Sequence, residues 1–327
     1  MPRVLVTPTV LVGQPGPYRD ILESAGLDVV FPAAGAQLFE PAMLPKHLRD
    51  IDAVLASMEP FNADVLADCR LRVIARMGVG YDAIDVQAAT RRGVAVTITP
   101  GTNEDSVAEH TMALLLGVMR GFPGRDQEVR NGRWRRGPLP RLAGKTIGLV
   151  GLGRIGKAVA WRARGLGLKV IACDPIPDHQ YAHANSVRLV SFDELLAEAD
   201  IVSLHLPCSP ETVDLINADT LARMKRGAVL INTARGGLVD EAALFEALSD
   251  GRLFGTGLDV FKTEPLPVDS PLLTLGNLLL APHMAGLDHE SEVAMSSLAA
   301  QCIADLYQGR WPDGCVVNPV VRESWRW

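Results

Sequence analysis

Three charged side chains, far apart in the chain, could together handle a carbonyl next to a carboxylate. They are Arg235 in Asn232-Thr233-Ala234-Arg235-Gly236-Gly237, Glu264 in Thr263-Glu264-Pro265-Leu266-Pro267, and His283 in Ala281-Pro282-His283. A guanidinium is a planar fork that can hold a carboxylate and a neighbouring carbonyl oxygen. A histidine can give or take the proton on that oxygen. A carboxylate can fix the histidine and favour its charged form. What such a trio lacks is a source of electrons.

Upstream, Gly151-Leu152-Gly153-Arg154-Ile155-Gly156 supplies a candidate dinucleotide site. The apolar run Thr146–Val150 precedes it and Lys157-Ala158-Val159-Ala160-Trp161 continues as a helical segment. In that context Gly151 permits a tight turn, Gly153 lets backbone approach a pyrophosphate, and Gly156 lets helix and strand pack closely. The N–H groups at the start of the helix, among them those of Arg154 and Ile155, face the phosphates. Asp174 ends the next strand-like run, Lys169–Cys173, where a carboxylate accepts hydrogen bonds from ribose hydroxyls and repels a 2′-phosphate. NAD is therefore expected over NADP. His205 and Pro207, at the end of the run Ile201–Leu206, fall where they would line the same pocket.

The elements that must position these residues follow a βα rhythm. Val4–Thr7, Asp28–Phe31, Ala53–Ser57, Val73–Arg76 and Ala95–Ile98 read as strands, with helices over Arg19–Ala25, Ala63–Cys69 and Ile84–Arg92. Pro100-Gly101-Thr102-Asn103 breaks the series, and Ser106–Arg120 reads as a long apolar helix joining two domains, its N-terminus favoured by Glu104 and Asp105. A second series runs from Lys145, with strands near 146–150, 169–173, 188–190, 201–206, 228–232, 255–260 and 278–281. The last helix, Ser291–Tyr307, follows His283 and is expected to return to the first domain. The division is then residues 1–103 with 291–327, and residues 104–290. Arg130–Pro140 is basic and aperiodic, and reads as a solvated loop with Trp134 packed inward. His179 and His183, spaced like metal ligands, have no nearby acid or cysteine to complete a site; no metal is expected, and they read as exposed loop residues.

Composition sets the outer bounds. A chain of 327 residues that is 48 % hydrophobic but only 5 % aromatic suits two α/β cores rich in small aliphatic side chains. A net charge of −6 argues against non-specific nucleic-acid binding. No apolar run reaches the ~18 residues of a membrane span, and no signal peptide precedes the first strand. Five scattered cysteines without a CxxC pair read as reduced thiols in a cytoplasmic protein.

With these residues in order, the chain resembles the D-isomer-specific 2-hydroxyacid dehydrogenases. The resemblance rests on Gly78-Val79-Gly80-Tyr81-Asp82-Ala83-Ile84-Asp85, Ser106-Val107-Ala108-Glu109-His110, Asn131-Gly132-Arg133-Trp134, the glycine fingerprint, Asn232–Gly236, Gly257-Leu258-Asp259-Val260-Phe261, Glu264-Pro265 and Pro282-His283. It implies two Rossmann-like α/β domains with parallel sheets, a flavodoxin-like substrate domain and an NAD-binding domain. It implies that Arg235, Glu264 and His283 are the catalytic trio, that Met77-Gly78-Val79-Gly80 holds the substrate carboxylate with Arg76 beside it, and that Thr233, Ala234 and Asp259 meet the nicotinamide end of the cofactor. Ser106 and Val107 would begin the inter-domain helix, and the assembly would be a homodimer through the nucleotide-binding domain. The substrate would be a small 2-hydroxy or 2-keto acid. Phosphoglycerate is disfavoured, since Ala56-Ser57 stands where such relatives carry a further arginine and no C-terminal regulatory domain follows. Formate is disfavoured by Glu264, where formate dehydrogenases carry glutamine. A non-catalytic NAD(H) sensor or corepressor on the same fold is the alternative.

Overall fold

A computed structural model describes residues 1–327 and divides them into two compact units, Met1–Asn103 with Leu287–Trp327, and the continuous segment Glu104–Gly286. The first unit carries a parallel sheet of β1 (Arg3–Val6), β2 (Asp28–Val30), β3 (Ala53–Ala56), β4 (Val73–Arg76) and β5 (Ala95–Thr97), in the flavodoxin-like order β2-β1-β3-β4-β5. Its strands are largely apolar because both faces are covered. Alternate residues feed two cores. Val4, Val6, Leu55 and Val73 pack against Met295, Ala299, Ile303 and Leu306 of the helix His289–Tyr307. Leu5, Val54, Ile74 and Val96 pack against the opposite layer, which includes Leu48, Val65, Leu66 and Ala88.

The helix His289–Tyr307 begins ahead of the expected Ser291 because Asp288 caps it: the Asp288 carboxylate accepts from Ser291 N at 2.7 Å, and the Ser291 hydroxyl accepts from Asp288 N at 3.1 Å. The tail is then sewn to the edge of β5. Val317 N donates to Val96 O at 2.8 Å, and the nearly buried Asn318 accepts from Val96 N and donates to Val94 O, both at 2.9 Å.

The second unit holds seven parallel strands: β6 (Thr146–Val150), β7 (Lys169–Cys173), β8 (Val187–Leu189), β9 (Ile201–Leu204), β10 (Ala228–Asn232), β11 (Leu253–Leu258) and β12 (Leu278–Leu280). Their order is β12-β11-β10-β9-β6-β7-β8, so the chain leaves β6 first to one side and then to the other. The switch lies between β6 and β9, where open α/β sheets bind ligands beyond the carboxyl ends of their strands. The candidate site residues of this unit follow strands: Gly151 after β6, Asp174 after β7, His205 after β9, Arg235 after β10, Asp259 after β11 and His283 after β12.

Two local expectations change, and one helix is added to them. The segment before the basic stretch is a helix, Phe122–Arg130, begun at Gly121 and Pro123. Trp134 does not pack inward; it is 79 % exposed, in a stretch, residues 131–140, that itself forms neither strand nor helix. His179 and His183 lie on the exposed face of a short helix, His179–Ala184, whose cap is the Asp178 carboxylate accepting from Tyr181 N at 2.9 Å.

The Asn318 side chain acts as a piece of β-ladder. Asn318→Ala strands a buried N–H and a buried carbonyl beside β5. We expect a loss of about 2–4 kcal/mol of stability, read from urea unfolding of the two proteins.

Candidate active site

The expected catalytic pair, His283 and Glu264, lies inside the second unit. His283 Nδ1 donates to Glu264 Oε2 at 2.6 Å, and Glu264 Oε1 accepts from Phe261 N at 2.9 Å. Both side chains are about a quarter exposed, at 29 % and 26 %. Burial raises the Glu264 pKa, but donation from His283, donation from Phe261 N and the imidazole charge outweigh it and hold the group below the usual carboxylate range. Glu264 is thus an anion fixed at both oxygens. With Nδ1 occupied, Nε2 is the histidine nitrogen left to exchange a proton with a ligand.

His283 has φ +54°, in the left-handed region that a non-glycine residue enters only at a cost. The cost is offset by Asp259. The main-chain oxygen of Asp259 accepts from His283 N at 2.8 Å, while its carboxylate oxygens accept from Met284 N at 2.9 Å and Ala285 N at 2.8 Å. The Asp259 side chain is fully buried, and His110 Nε2 lies 3.4 Å from it. Asp259, expected at the nicotinamide end of a cofactor, uses its carboxylate oxygens to hold the histidine loop.

Arg235 sits on a loop stapled in the same manner. Asn232, fully buried at the end of β10, donates from Nδ2 to Arg235 O at 2.7 Å and accepts from Ala234 N at 3.0 Å. The half-buried guanidinium donates to Ala234 O at 2.6 Å. Gly236 then lies against the main chain of Phe261 and Lys262 so closely that any Cβ would overlap it. The loop after β10 and the loop after β11 therefore meet backbone to backbone, which ties the position of Arg235 to that of Glu264. Thr233 is nearly buried and shares a hydroxyl hydrogen bond of 2.9 Å with Thr111 on the helix Glu104–Arg120. Sequence reasoning missed Asn232, Thr111 and His110 as parts of this support; a polar amide directly at a strand end was the available signal for the first.

The glycine turn fits a dinucleotide. Gly151 has φ +99°, and a Cβ there would strike the His205 carbonyl. Above Gly153 the space is open, so its small size serves something other than this chain's own packing. The helix Arg154–Gly165 has no side-chain cap, which leaves the N–H groups of its first turn to an anion. Asp174 closes the turn from β7, Oδ2 accepting from Leu152 N at 2.7 Å and Oδ1 from Ile176 N at 2.9 Å. Arg154 and Pro207 are exposed, while Ile155 and Ala234 are partly buried.

The stretch Arg76–Gly80 belongs to the first unit, at the end of β4 and just beyond it. Met77 N donates to Ala56 O at 2.9 Å and Gly78 N to Thr99 Oγ1 at 2.9 Å. The N–H groups of Val79 and Gly80 are the ones left to a carboxylate. Arg76 turns its guanidinium back onto Met77 O, in the space a Cβ on Gly78 would need.

Residues 112–285 match the model of the D-isomer specific 2-hydroxyacid dehydrogenase, NAD binding domain. Glyoxylate reductase of Korarchaeum cryptofilum is 41 % identical over 285 residues, covering 85 % of this chain and 86 % of that protein. D-3-phosphoglycerate dehydrogenase of Mycobacterium tuberculosis is 43 % identical over 282 residues, covering 83 % of this chain; the chain spans about half of that relative's length, 53 %. The crystal structure of the TT0316 protein from Thermus thermophilus superposes with a TM-score of 0.86 at 40 % identity, over 96 % of this chain and all of that one.

His205 gives a prediction in acid. Burial pushes its imidazole pKa down to about 3, and its Nε2 lies 2.9 Å from Ser203 Oγ. The unfolded chain takes up the proton near the ordinary value of about 6.5, so it binds more protons than the folded chain below that pH. Stability should fall as pH drops from about 6.5 towards about 3. In His205→Asn, denaturant midpoints measured across this range should show a shallower decline. Glu264 adds its own loss only lower, once pH falls through its depressed pKa.

Proposed function

The chain belongs to the D-isomer specific 2-hydroxyacid dehydrogenase family, and on that premise we propose that it interconverts a small D-2-hydroxy acid and its 2-keto acid with His283 as acid and base. It is an NAD-dependent oxidoreductase. When bound, NAD supplies the hydride in reduction and accepts it in oxidation. The observation that carries the reading is the 2.6 Å bond from His283 Nδ1 to an ionised Glu264, which holds the imidazole in one orientation and leaves Nε2 for the substrate. In reduction Nε2 gives its proton to the carbonyl oxygen as that oxygen gains charge; in oxidation it removes the hydroxyl proton. The Arg235 fork holds the carboxylate and polarises the carbonyl beside it. The Val79 and Gly80 N–H groups are proposed to hold a carboxylate, and the uncapped helix at Arg154 the pyrophosphate.

The substrate we favour is small and carries no phosphate. Arg76, the extra cation beside the loop, is engaged with Met77 O. No helix is long and apolar enough to cross a membrane, and all five cysteines are free; the free thiols support the cytoplasm as the compartment.

A panel of 2-keto acids, followed by NADH absorbance, tests the reading. We expect turnover of a glyoxylate- or hydroxypyruvate-like substrate, falling as pH rises in the reductive direction and rising in the oxidative one. His283→Ala should lose about 10²–10⁴-fold in kcat with NADH binding intact. Glu264→Gln should lose less, and Arg235→Ala should damage both KM and kcat. A protein that binds NADH yet consumes it with no acid in the panel would be a sensor, and full turnover in His283→Ala would refute the proton role.

Cofactor choice is assigned to Asp174. Since a 2′-phosphate would sit against its carboxylate, NADH should be used far better than NADPH, and Asp174→Ser should narrow the gap in kcat/KM. Equal use of both by the unmodified protein would contradict this.

We further propose a homodimer through the second unit. Supporting it are the exposed Phe122 (60 %), Val129 (55 %), Trp134 (79 %) and Trp161 (66 %), with an apolar groove of about 840 Å³ lined by Met112, Leu116, Trp161 and Leu166. Sedimentation at micromolar concentration should give twice the chain mass, and a double change Trp134→Glu with Trp161→Glu should give a monomer.

A further inference from the structure

We propose that Asp214, Lys262 and Glu241 form a clip of positioning residues: together they fix the loop after β11, which carries Glu264, against the loop after β10, which carries Arg235. The catalytic consequence of the clip rests on the reading of Arg235, Glu264 and His283 as the reacting set.

The loop after β11 has little of its own to hold it. Phe261 anchors its start in the core, but residues 262–265 are exposed and form no strand or helix. A lysine in such a loop ordinarily keeps its ammonium in water. Lys262 is instead held at both ends. Its main-chain N–H donates to Glu241 Oε1 at 2.7 Å, and its Nζ lies 2.5 Å from Asp214 Oδ1.

Asp214 stands where glycine would be at ease. Its φ is +51°, in the left-handed region. Its N–H donates to Gly237 O at 2.9 Å, and its carbonyl accepts from Asn217 Nδ2 at 3.0 Å. A glycine would make both bonds; what the aspartate adds is a carboxylate. As whole side chains Lys262 and Asp214 are 36 % and 43 % exposed, and an ordinary surface pair of that kind contributes little. This pair differs in one atom. Asp214 Oδ1 is closed to water and makes no hydrogen bond, so the Lys262 ammonium is the charge that compensates it.

Both acids stand on one frame. Besides the bond from Asp214 to Gly237, Ile216 N donates to Leu238 O at 2.9 Å and Asp240 N to Ile216 O at 2.8 Å, so residues 214–216 run beside 237–240. Glu241 follows directly, at the start of the helix Glu241–Ser249, where the Asp240 carboxylate caps Ala242 N and Ala243 N. The frame begins two residues after Arg235, and Gly236 between them rests against the main chain of Phe261 and Lys262. Lys262 therefore docks on the Arg235 loop, while its neighbour Phe261 gives its N–H to Glu264 at 2.9 Å. A shift of Lys262 moves Phe261 N, and with it the carboxylate that orients His283.

Amide exchange of the free protein tests the clip without any substrate. Lys262→Met and Asp214→Asn should each speed exchange at Phe261 and Lys262, while Met284 and Ala285, held by Asp259, keep their rates. Asparagine tolerates the left-handed region, so the second change removes the charge and spares the backbone. Lys262→Arg, which keeps a cation within reach, should restore slow exchange. In reduction of a 2-keto acid, Lys262→Met should lower kcat about tenfold with KM for NADH unmoved, since a misplaced orienting group costs rate rather than cofactor binding. The double variant should match Lys262→Met alone, because residues acting through one contact do not add. Unchanged exchange at Phe261 and Lys262 in Lys262→Met, or additive losses in the double variant, would overturn the proposal, and so would faster exchange with kcat unchanged. Should Asp214→Asn fail to fold, Lys262→Met, a change to an exposed side chain, decides alone. A protein that reduces no 2-keto acid defeats the functional reading instead, because the exchange rates still decide whether the clip holds the Glu264 loop.

Discussion

The site in the second unit depends on one buried anion. The Asp259 carboxylate has no exposure, and its oxygens take the N–H groups of Met284 and Ala285 while its carbonyl takes that of His283. Without these bonds nothing holds His283 at a positive φ, because the relaxed backbone would move it to the common region and swing the imidazole away from Glu264. A carboxylate buried this deeply is tolerated because two N–H groups are aimed at it. The geometry of the His283–Glu264 pair therefore depends on a buried carboxylate beneath it, one layer removed from the pair itself.

The same device recurs at the neighbouring strand ends. Asn232 folds the chain after β10 into a fixed turn, Asp174 closes the glycine turn, and in the first unit Glu59 takes the Ser57 N–H just past β3. Each is a polar side chain at or just beyond the carboxyl end of a parallel strand, where the ladder stops and main-chain groups lose their partners. A short side chain with a fixed acceptor satisfies those groups and at once dictates the path of the loop. Rigid loops of this kind hold charged side chains at a spacing that flexible ones would lose.

Much of this is legible in the chain itself. Parallel sheets follow from βα alternation and short turns, and the glycine fingerprint, Arg235, Glu264 and His283 are marked by residue type at or near strand ends. What escapes is support through space. Nothing in Gly-Leu-Asp-Val-Phe says that Asp259 will serve the backbone of residues 283–285, since that contact is made only when β11 and β12 pair in register. Trp134 defeats expectation for a related reason: an aromatic in a basic loop suggests burial, but burial needs a facing element, and the chain's own fold provides none. His179 and His183 show the opposite case, where the Asp178 cap, bonded to the main chain of Tyr181, turns an apparent loop into a helix.

The chain's route between its units has a cost during synthesis. The second unit is one uninterrupted segment, whereas the first is opened at Asn103 and completed only from Leu287 onward. One face of its sheet, with Val4, Val6, Leu55 and Val73, is covered only in part, by Tyr18, Leu22 and Leu27, until Met295, Ala299, Ile303 and Leu306 emerge from the ribosome, and Val321 and Trp325 arrive later still. The nascent chain must therefore carry an uncovered aliphatic surface through the making of the whole inserted unit, the interval in which chaperones act and sticky intermediates associate. The final helix and tail close a core that the first residues opened, so a premature stop just beyond the inserted unit would leave a folded nucleotide-binding body tethered to a half-built partner.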